Sequence, residues 1–394
     1  MKRLLAIIMT AVLFASASGC GQRVSEESSS MATTISEGTS VVESTTSAVI
    51  QDTTAKGLTK IALLLPGVLG DKSFFDSAQR GMDMIKEKYG DAVEVKVVEM
   101  GQDSTRYLPT LYDFSDEGWN VIITGTWLMP DQVSEVAPKY KDINYVLFDV
   151  AVDYTNGDFG NVYSILYKAN ESAFLGGLLA AYVTTDDKMK LSNADKKIGF
   201  LGGSDVPGIN DFLVGYIQGA KYAVPDIKVN TSYIGSFIDA AKGKEMALAQ
   251  YNSGVDISFN VAGPAGLGMI DAASDVQRYV IGVDSDQALL FDESNPEKAN
   301  LIVTSVMKNV DKTLLRAIDL YFSGNLPVGS AETLGLKEEG VCLAYNKYYD
   351  KLVSDEIKGK IDDALAKIIS GEIVVDTAYG KTTEEMDEIK TSVE

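Results

Sequence analysis

The stretch VIGVDSDQ, Val280 to Gln287, ends an apolar run with two carboxylates separated by one serine. Asp284 and Asp286 in that pattern can make a general acid/base pair, half of an oxygen-ligated metal site, a turn, or a grip on ligand hydroxyls. Catalysis would need convergent partners, and no third carboxylate or nucleophile accompanies the pair. The chain has no histidine in 394 residues. That removes Ser-His-Asp triads, Cys-His pairs and His-ligated zinc. The glycine-rich GPAGLG at 263–268 lacks the Lys-Ser/Thr that meets phosphates and Mg²⁺ in a phosphate-binding loop. ATP hydrolysis by this chain is therefore not expected, and neither a metal nor a cofactor is implied. Binding without turnover is the leading class.

The elements that would position these groups alternate apolar runs with amphipathic stretches, the pattern of βα units in a parallel sheet. Strands are expected at 60–66, 93–100, 120–125, 144–150, 197–203, 228–235, 257–263 and 278–284. Helices are expected at 73–90, 171–184, 208–223 and 241–254. The chain also echoes itself. KIALLLPG precedes a helix with Phe74 and Gly81, and KIGFLGGSDVPG precedes one with Phe212 and Gly219. A repeat of this length predicts two similar lobes in succession. Ligands of open parallel sheets bind beyond the carboxyl ends of the strands, so two facing ends make a cleft. Asp284, at the end of an all-apolar strand, should point into it. Asp286 falls in the turn or at a helix N-cap. Trp127 follows the strand ending at Gly125, which leaves ligand stacking, core packing and a rim position all open.

The ends and the composition narrow the class further. Lys2 and Arg3 precede an apolar run from Leu4 to Ala17, too short for an ordinary membrane span, and then Ala17-Ser18-Gly19-Cys20. The run predicts a signal peptide over 1–19, and Cys20 resembles a lipobox cysteine that would carry a lipid anchor. Residues 20–57 are dominated by Ser, Thr and Glu and fit a tether that cannot bury enough surface to order itself. If Cys20 is acylated, Cys342 has no disulfide partner, because the chain has two cysteines; it then reads as a small buried apolar residue. A net charge of −21 argues against nucleic acid, an anionic lipid surface and polyanionic ligands.

Six segments carry a resemblance that runs in order from about Lys60 to about Tyr345. They are DKSFFDSAQRG (71–81), ANESAFLGGLLAA (169–181), KIGFLGGSDVPGINDFLVGYIQGAK (197–221), YIGSFIDAAKGKEMALAQYNSGVDISFNVAGPAGLGMIDAA (233–273), VIGVDSDQ and TSVMKNVDK (304–312). Together they resemble the basic membrane protein family, substrate-binding lipoproteins of ABC importers whose studied members bind nucleosides. The resemblance implies the type I periplasmic binding protein fold: two Rossmann-like lobes with parallel sheets, joined by a three-segment hinge around the ligand. The lobes are expected at 59–165 plus 300–326 and 166–299 plus 327–375, with a C-terminal tail at 376–394. It also implies roles for matched positions. Phe74 and Phe237 would stack on opposite faces of a base, and Asp149 would bond its polar edges. Gly263 would bring its backbone close to the ribose, Asp284 would accept from ribose hydroxyls, and Lys308 would stand beside it. Phe75 departs, standing where the family usually has an asparagine that helps recognise the base, and GPAGLG replaces the usual GGTGxG. The implied ligand is a nucleoside, a purine nucleoside first, delivered by a monomer to separate permease and ATPase subunits. The alternative keeps the fold and changes the ligand to a sugar or signalling molecule.

Overall fold

In the computed structural model, residues 57–394 are described. The expected signal peptide, Cys20 and most of the tether lie outside the described residues.

The first lobe is laid down as β1 (Thr59–Leu65), α1 (Phe74–Tyr89), β2 (Val93–Glu99), α2 (Tyr107–Asp116), β3 (Val121–Gly125), α3 (Pro130–Val136), β4 (Asn144–Phe148) and β5 (Val162–Tyr167). The second follows as α4 (Ala169–Thr185), β6 (Lys197–Gly202), α5 (Pro207–Ala223), β7 (Lys228–Tyr233), α6 (Ala240–Asn252), β8 (Ile257–Val261), α7 (Gly263–Val276), β9 (Tyr279–Asp284), α8 (Gln287–Phe291), α9 (Pro296–Ala299) and β10 (Ile302–Lys308). The chain then returns through α10 (Val310–Phe322) and β11 (Ser330–Leu334). It finishes with β12 (Val341–Leu343), α11 (Lys347–Leu352), α12 (Asp355–Ser370) and α13 (Thr383–Thr391).

The strands form two six-stranded sheets, ordered β11-β5-β4-β3-β1-β2 and β12-β10-β9-β8-β6-β7. Every pairing is parallel except β10 with β12. The first five strands of each sheet share one topology shifted along the chain, so the sequence echo is a real structural repeat. The central strands are apolar because both of their faces are covered by helices; β3, β8 and β9 are buried throughout.

All eight expected strands form, each within two residues of its expected ends. The lobe boundaries need correction. β10 joins the second sheet and β11 the first, so the return to the first lobe comes after Lys308 and the last exchange after Leu334, not at 300 and 327. The expected tail is also built into the second lobe: Val229 N donates to the Val393 carbonyl at 2.9 Å, and α13 opens with a capping box of Thr382 and Glu385. Cys342 is 6% exposed on β12, a small buried residue as expected, with Asn309 Nδ2 3.5 Å from its sulfur.

The crossing helices explain the echoed glycines. After β5 the chain crosses and α4 packs on α5; after β10 it crosses back and α10 packs on α1. Gly219 of α5 and Gly81 of α1 face those crossing helices. A Cβ at Gly219 would lie 1.9 Å from the Phe174 carbonyl oxygen, and one at Gly81 would lie 3.0 Å from that of Asp311. The first contact forces two backbones apart, whereas the second needs only a small shift. Gly219→Ala is therefore expected to destabilise the protein by about 1–3 kcal/mol through overpacking. Gly81→Ala should be near neutral, because about 1 kcal/mol of helix propensity offsets its strain. Denaturant unfolding of the two variants checks this.

Candidate ligand-binding cleft

The carboxyl ends of both sheets face each other, and the backbone there is unusual. Thr126 after β3, Asp149 after β4 and Asp284 ending β9 have φ of +70°, +66° and +60°. A non-glycine residue in the left-handed region costs about 1–3 kcal/mol and persists only where its surroundings enforce it. At Asp284 the enforcement is local, since Ser285 N donates back to the Val283 carbonyl at 2.6 Å. The turn sends the carboxylate across to the first lobe.

There it meets the start of α1. Ser73 Oγ donates to Asp284 Oδ2 at 2.8 Å. Ser285 Oγ donates in return to the Ser73 carbonyl at 2.7 Å, and Arg80 Nη2 donates to Ser285 Oγ at 2.9 Å. Gln287 Nε2 reaches the Lys72 carbonyl at 3.1 Å. Asp71, 1% exposed, fixes this helix start by accepting from Ser73 N and Asp76 N on one oxygen and Phe75 N on the other. Burial pushes the Asp284 carboxyl up to about 6, against the pull of the Lys308 ammonium and the Ser73 hydroxyl, with Asp149 and Asp71 adding to the rise.

Lys308, the last residue of β10 and 5% exposed, brings an ammonium to this cluster. Its Nζ donates to Asp149 Oδ1 at 2.6 Å. It lies 4.9 Å from the Phe212 ring centroid, 5.6 Å from that of Phe74 and 5.9 Å from that of Tyr167. Burial depresses its basicity, but the Asp149 and Asp284 carboxylates outweigh that and hold it above the usual lysine value. The resemblance placed this lysine beside Asp284; its hydrogen bond runs to Asp149, and Asp284 acts on it through space.

The structure thus brings Phe74, Asp149, Asp284 and Lys308 together from both lobes. Phe74 leans on Phe148 with centroids 5.4 Å apart, and Phe75 meets it edge-on at 5.5 Å. The Phe75 ring covers Gly67, just beyond β1, where a Cβ would come within 2.2 Å of it. Phe237 covers Gly203, just beyond β6, in the same manner at 2.4 Å. Phe237 is tied to the start of α7, its carbonyl accepting from Ala265 N at 2.8 Å. Gly263 opens that helix at φ +53°, a conformation glycine adopts without penalty. Trp127 is 62% exposed and is not part of the core. Asp286 caps α8 by accepting from Leu289 N, and both its oxygens are held by Asn346. It is therefore unavailable as the partner of Asp284.

Sequence reading missed Ser73, Asp71, Ser285, Arg80 and Phe212. The Asp71-Lys72-Ser73 spacing, an Asp able to cap the chain two residues on, was the available signal for the first two. Ser285 and Arg80 carry no local signal, because their meaning comes from the other lobe. A cavity of about 610 Å³, lined by Met82, Lys86, Val93 and Val95 among others, lies between α1 and the edge strand β2. It holds none of the cleft residues.

The family described as "ABC transporter substrate-binding protein PnrA-like" matches residues 58–378. Basic membrane protein A of Borreliella burgdorferi is 34% identical over 80% of this chain and 87% of its own length. The "ABC transporter nucleoside-binding protein BmpA" of Lactococcus lactis is 31% identical over 78% of this chain and 86% of its own. Among solved structures, an ABC transporter solute-binding protein from Aeropyrum pernix superposes with a TM-score of 0.73 at 26% identity, covering 85% of this chain and 98% of that one. One from Conexibacter woesei, at 20% identity and TM-score 0.65, supports the fold alone. A chain with this fold, this cleft and these relatives belongs to the basic membrane protein family of ABC transporter substrate-binding proteins, which are not enzymes.

Proposed function

We propose that the cleft captures a nucleoside, a purine nucleoside first, and that lobe closure presents it to a separate permease and ATPase. The observation that carries this reading is Asp284, a nearly dry carboxylate aimed between the lobes with one neutral donor, Ser73, on it. A carboxylate accepts about four hydrogen bonds, so vicinal ribose hydroxyls can fill its remaining capacity, and such charge-assisted bonds are roughly twice as strong as neutral ones. Phe74 on the first lobe and Phe237 on the second offer faces for a planar base, each stack worth about 0.5–1.5 kcal/mol beyond area burial. Asp149 stands at the first lobe's strand ends as acceptor for a base edge. The relative named as nucleoside-binding supports the same class. Phe75, a ring that can neither donate nor accept along a base edge, favours a second reading in which the ligand is a sugar.

Calorimetry with ligand-stripped protein tests the first reading. Heat with adenosine, guanosine, inosine, uridine or cytidine is expected, and silence with all five alongside heat with ribose or arabinose would install the second. Phe75→Asn is expected to move the ranking toward purine nucleosides.

The Asp284 carboxyl titrates at about 6, and only its ionised form accepts from both hydroxyls. Affinity should therefore fall as pH drops below about 6, by at most about tenfold per pH unit. Asp284→Asn should weaken binding and abolish that slope. Ligand-free stability runs the other way. A folded-state value raised from 3.8 means the folded protein holds this proton more tightly than the unfolded chain. This group's stabilisation is then complete below about 4 and lost as pH rises through about 6.

The same reading places a lipid anchor on Cys20, holding a monomeric protein at the extracytoplasmic face of the membrane. A sulfur in a thioether cannot also bridge Cys342. Mass spectrometry of membrane-extracted protein should show the mature chain starting at a diacylglyceryl Cys20. A two-hydrogen mass gain on reduction, with no lipid mass, would replace the anchor with a disulfide.

A further inference from the structure

The C-terminal segment brings to the cleft an aromatic side chain that none of the motifs above contains. Residues 376–380 run across the start of α5 and are fastened there by Asp211, which is 2% exposed. Its carboxylate accepts from Thr377 Oγ1 at 2.5 Å, from Ala378 N at 3.0 Å and from Asn170 N at 3.2 Å. Asn170 Nδ2 closes the fastening by donating to the Asp376 carbonyl at 2.9 Å. Tyr379 follows directly, its N donating to Thr377 Oγ1 at 3.3 Å.

The hydroxyl of Tyr379 rests on the first turn of α5, where a Cβ added at Gly208 would lie 3.6 Å from it. One turn along the same helix, Phe212 packs against the Lys308 ammonium. Tyr379 is 52% exposed, with its hydroxyl on the helix that leads to Phe212 and Lys308. Burial and then the Asp149 carboxylate push the phenol up to about 12, with Lys308 opposing and Asp211 adding. Two observations thus meet: a strap pinned by a buried carboxylate, and a large half-exposed ring whose hydroxyl lies against the helix that carries Phe212 to Lys308. Core packing does not account for such a ring, but covering the open side of a cleft does.

We propose that Tyr379 is a ligand-contacting residue, its ring covering the open side of the cleft and its hydroxyl bonding the polar end of the ligand that faces Asp149. A phenol both donates and accepts, so it suits the mixed edge of a base. The match to the family spans residues 58–378 and ends one residue before Tyr379. The inference rests on the nucleoside reading for its probe.

The test is calorimetry of the wild-type, Tyr379→Phe and Tyr379→Ala proteins, ligand-stripped, with the five nucleosides above. Tyr379→Phe is expected to weaken the tightest-bound nucleoside about two- to tenfold, the worth of one net hydrogen bond. Tyr379→Ala should weaken it further, with both ligand-free melting temperatures unchanged. Wild-type affinity in both variants would overturn the inference and leave the nucleoside reading standing. So would full affinity in Tyr379→Phe with a joint loss of affinity and melting temperature in Tyr379→Ala, which would assign the residue to strap packing. Silence of the wild-type protein with all five would overturn the nucleoside reading and this inference with it.

Discussion

Two carboxylates and one ammonium meet between the lobes, Asp284 and Lys308 buried and Asp149 partly exposed, and most of the architecture serves to hold them there. Asp149 and Lys308 form an ion pair with Nζ and Oδ1 2.6 Å apart, and Asp284 is left with a hydroxyl and a through-space attraction. Burying charge is expensive unless hydrogen bonds satisfy the remaining lone pairs. The cluster carries one negative charge more than its ammonium offsets, so the closed arrangement gains whenever further donors enter. A neutral guest with hydroxyl donors supplies them. It can draw the lobes together only through its differential affinity for the closed state, and a carboxylate short of donors there provides that difference.

The hinge and the site are built from the same segments. Lys308 is the last residue of β10, and the next crosses to the other lobe as α10 begins. Asn309 N bonds the Gly340 carbonyl, and Lys168 N bonds the Leu334 carbonyl. The three crossing segments are thus linked to one another beside the ion pair. The exchanged helices add to this coupling, because α4 and α10 each leave one sheet to pack on the other lobe.

Much of the fold was legible because it rests on local, repeated signals. Strand β1, Lys-Ile-Ala-Leu-Leu-Leu, and strand β9 read as buried parallel strands from apolarity alone. Four strands were not foreseen: β5, Val162–Tyr167, is apolar and buried and was simply passed over, whereas the other three fail that test for identifiable reasons. β10 carries Thr304 and Ser305, whose polarity is satisfied only by the Ala344 carbonyl and Gln287 N. β11 is half exposed at the sheet edge, and β12 has three residues. With β10 unread, the lobe exchange points slipped by several residues. At the site, Asp284 and Asp286 were separable because one ends a strand and the other starts a helix. Ser285, Arg80 and Tyr379 were not legible, since each takes its role from a segment distant in sequence.

The same details bear on what the cleft refuses. Helix N-termini at strand ends are natural phosphate sites, with free N–H groups and a favourable dipole. Here those sites are already occupied. Asp71 takes the N–H groups at the start of α1, Asp239 caps α6, and Asp286 caps α8. Among the other helices that start at strand ends of the second sheet, α5 and α7 each carry a proline in their first turn, which removes a donor, and α10 gives Asp311 N to Ser77 Oγ of α1. A phosphate entering the cleft would have to share Lys308 with Asp149 and Asp284, in a chain of net charge −21. The cost of bringing a dianion beside two carboxylates in a poorly hydrated space exceeds what one already paired ammonium can return. The local chemistry therefore disfavours a phosphate-bearing ligand, in keeping with the neutral nucleoside proposed above.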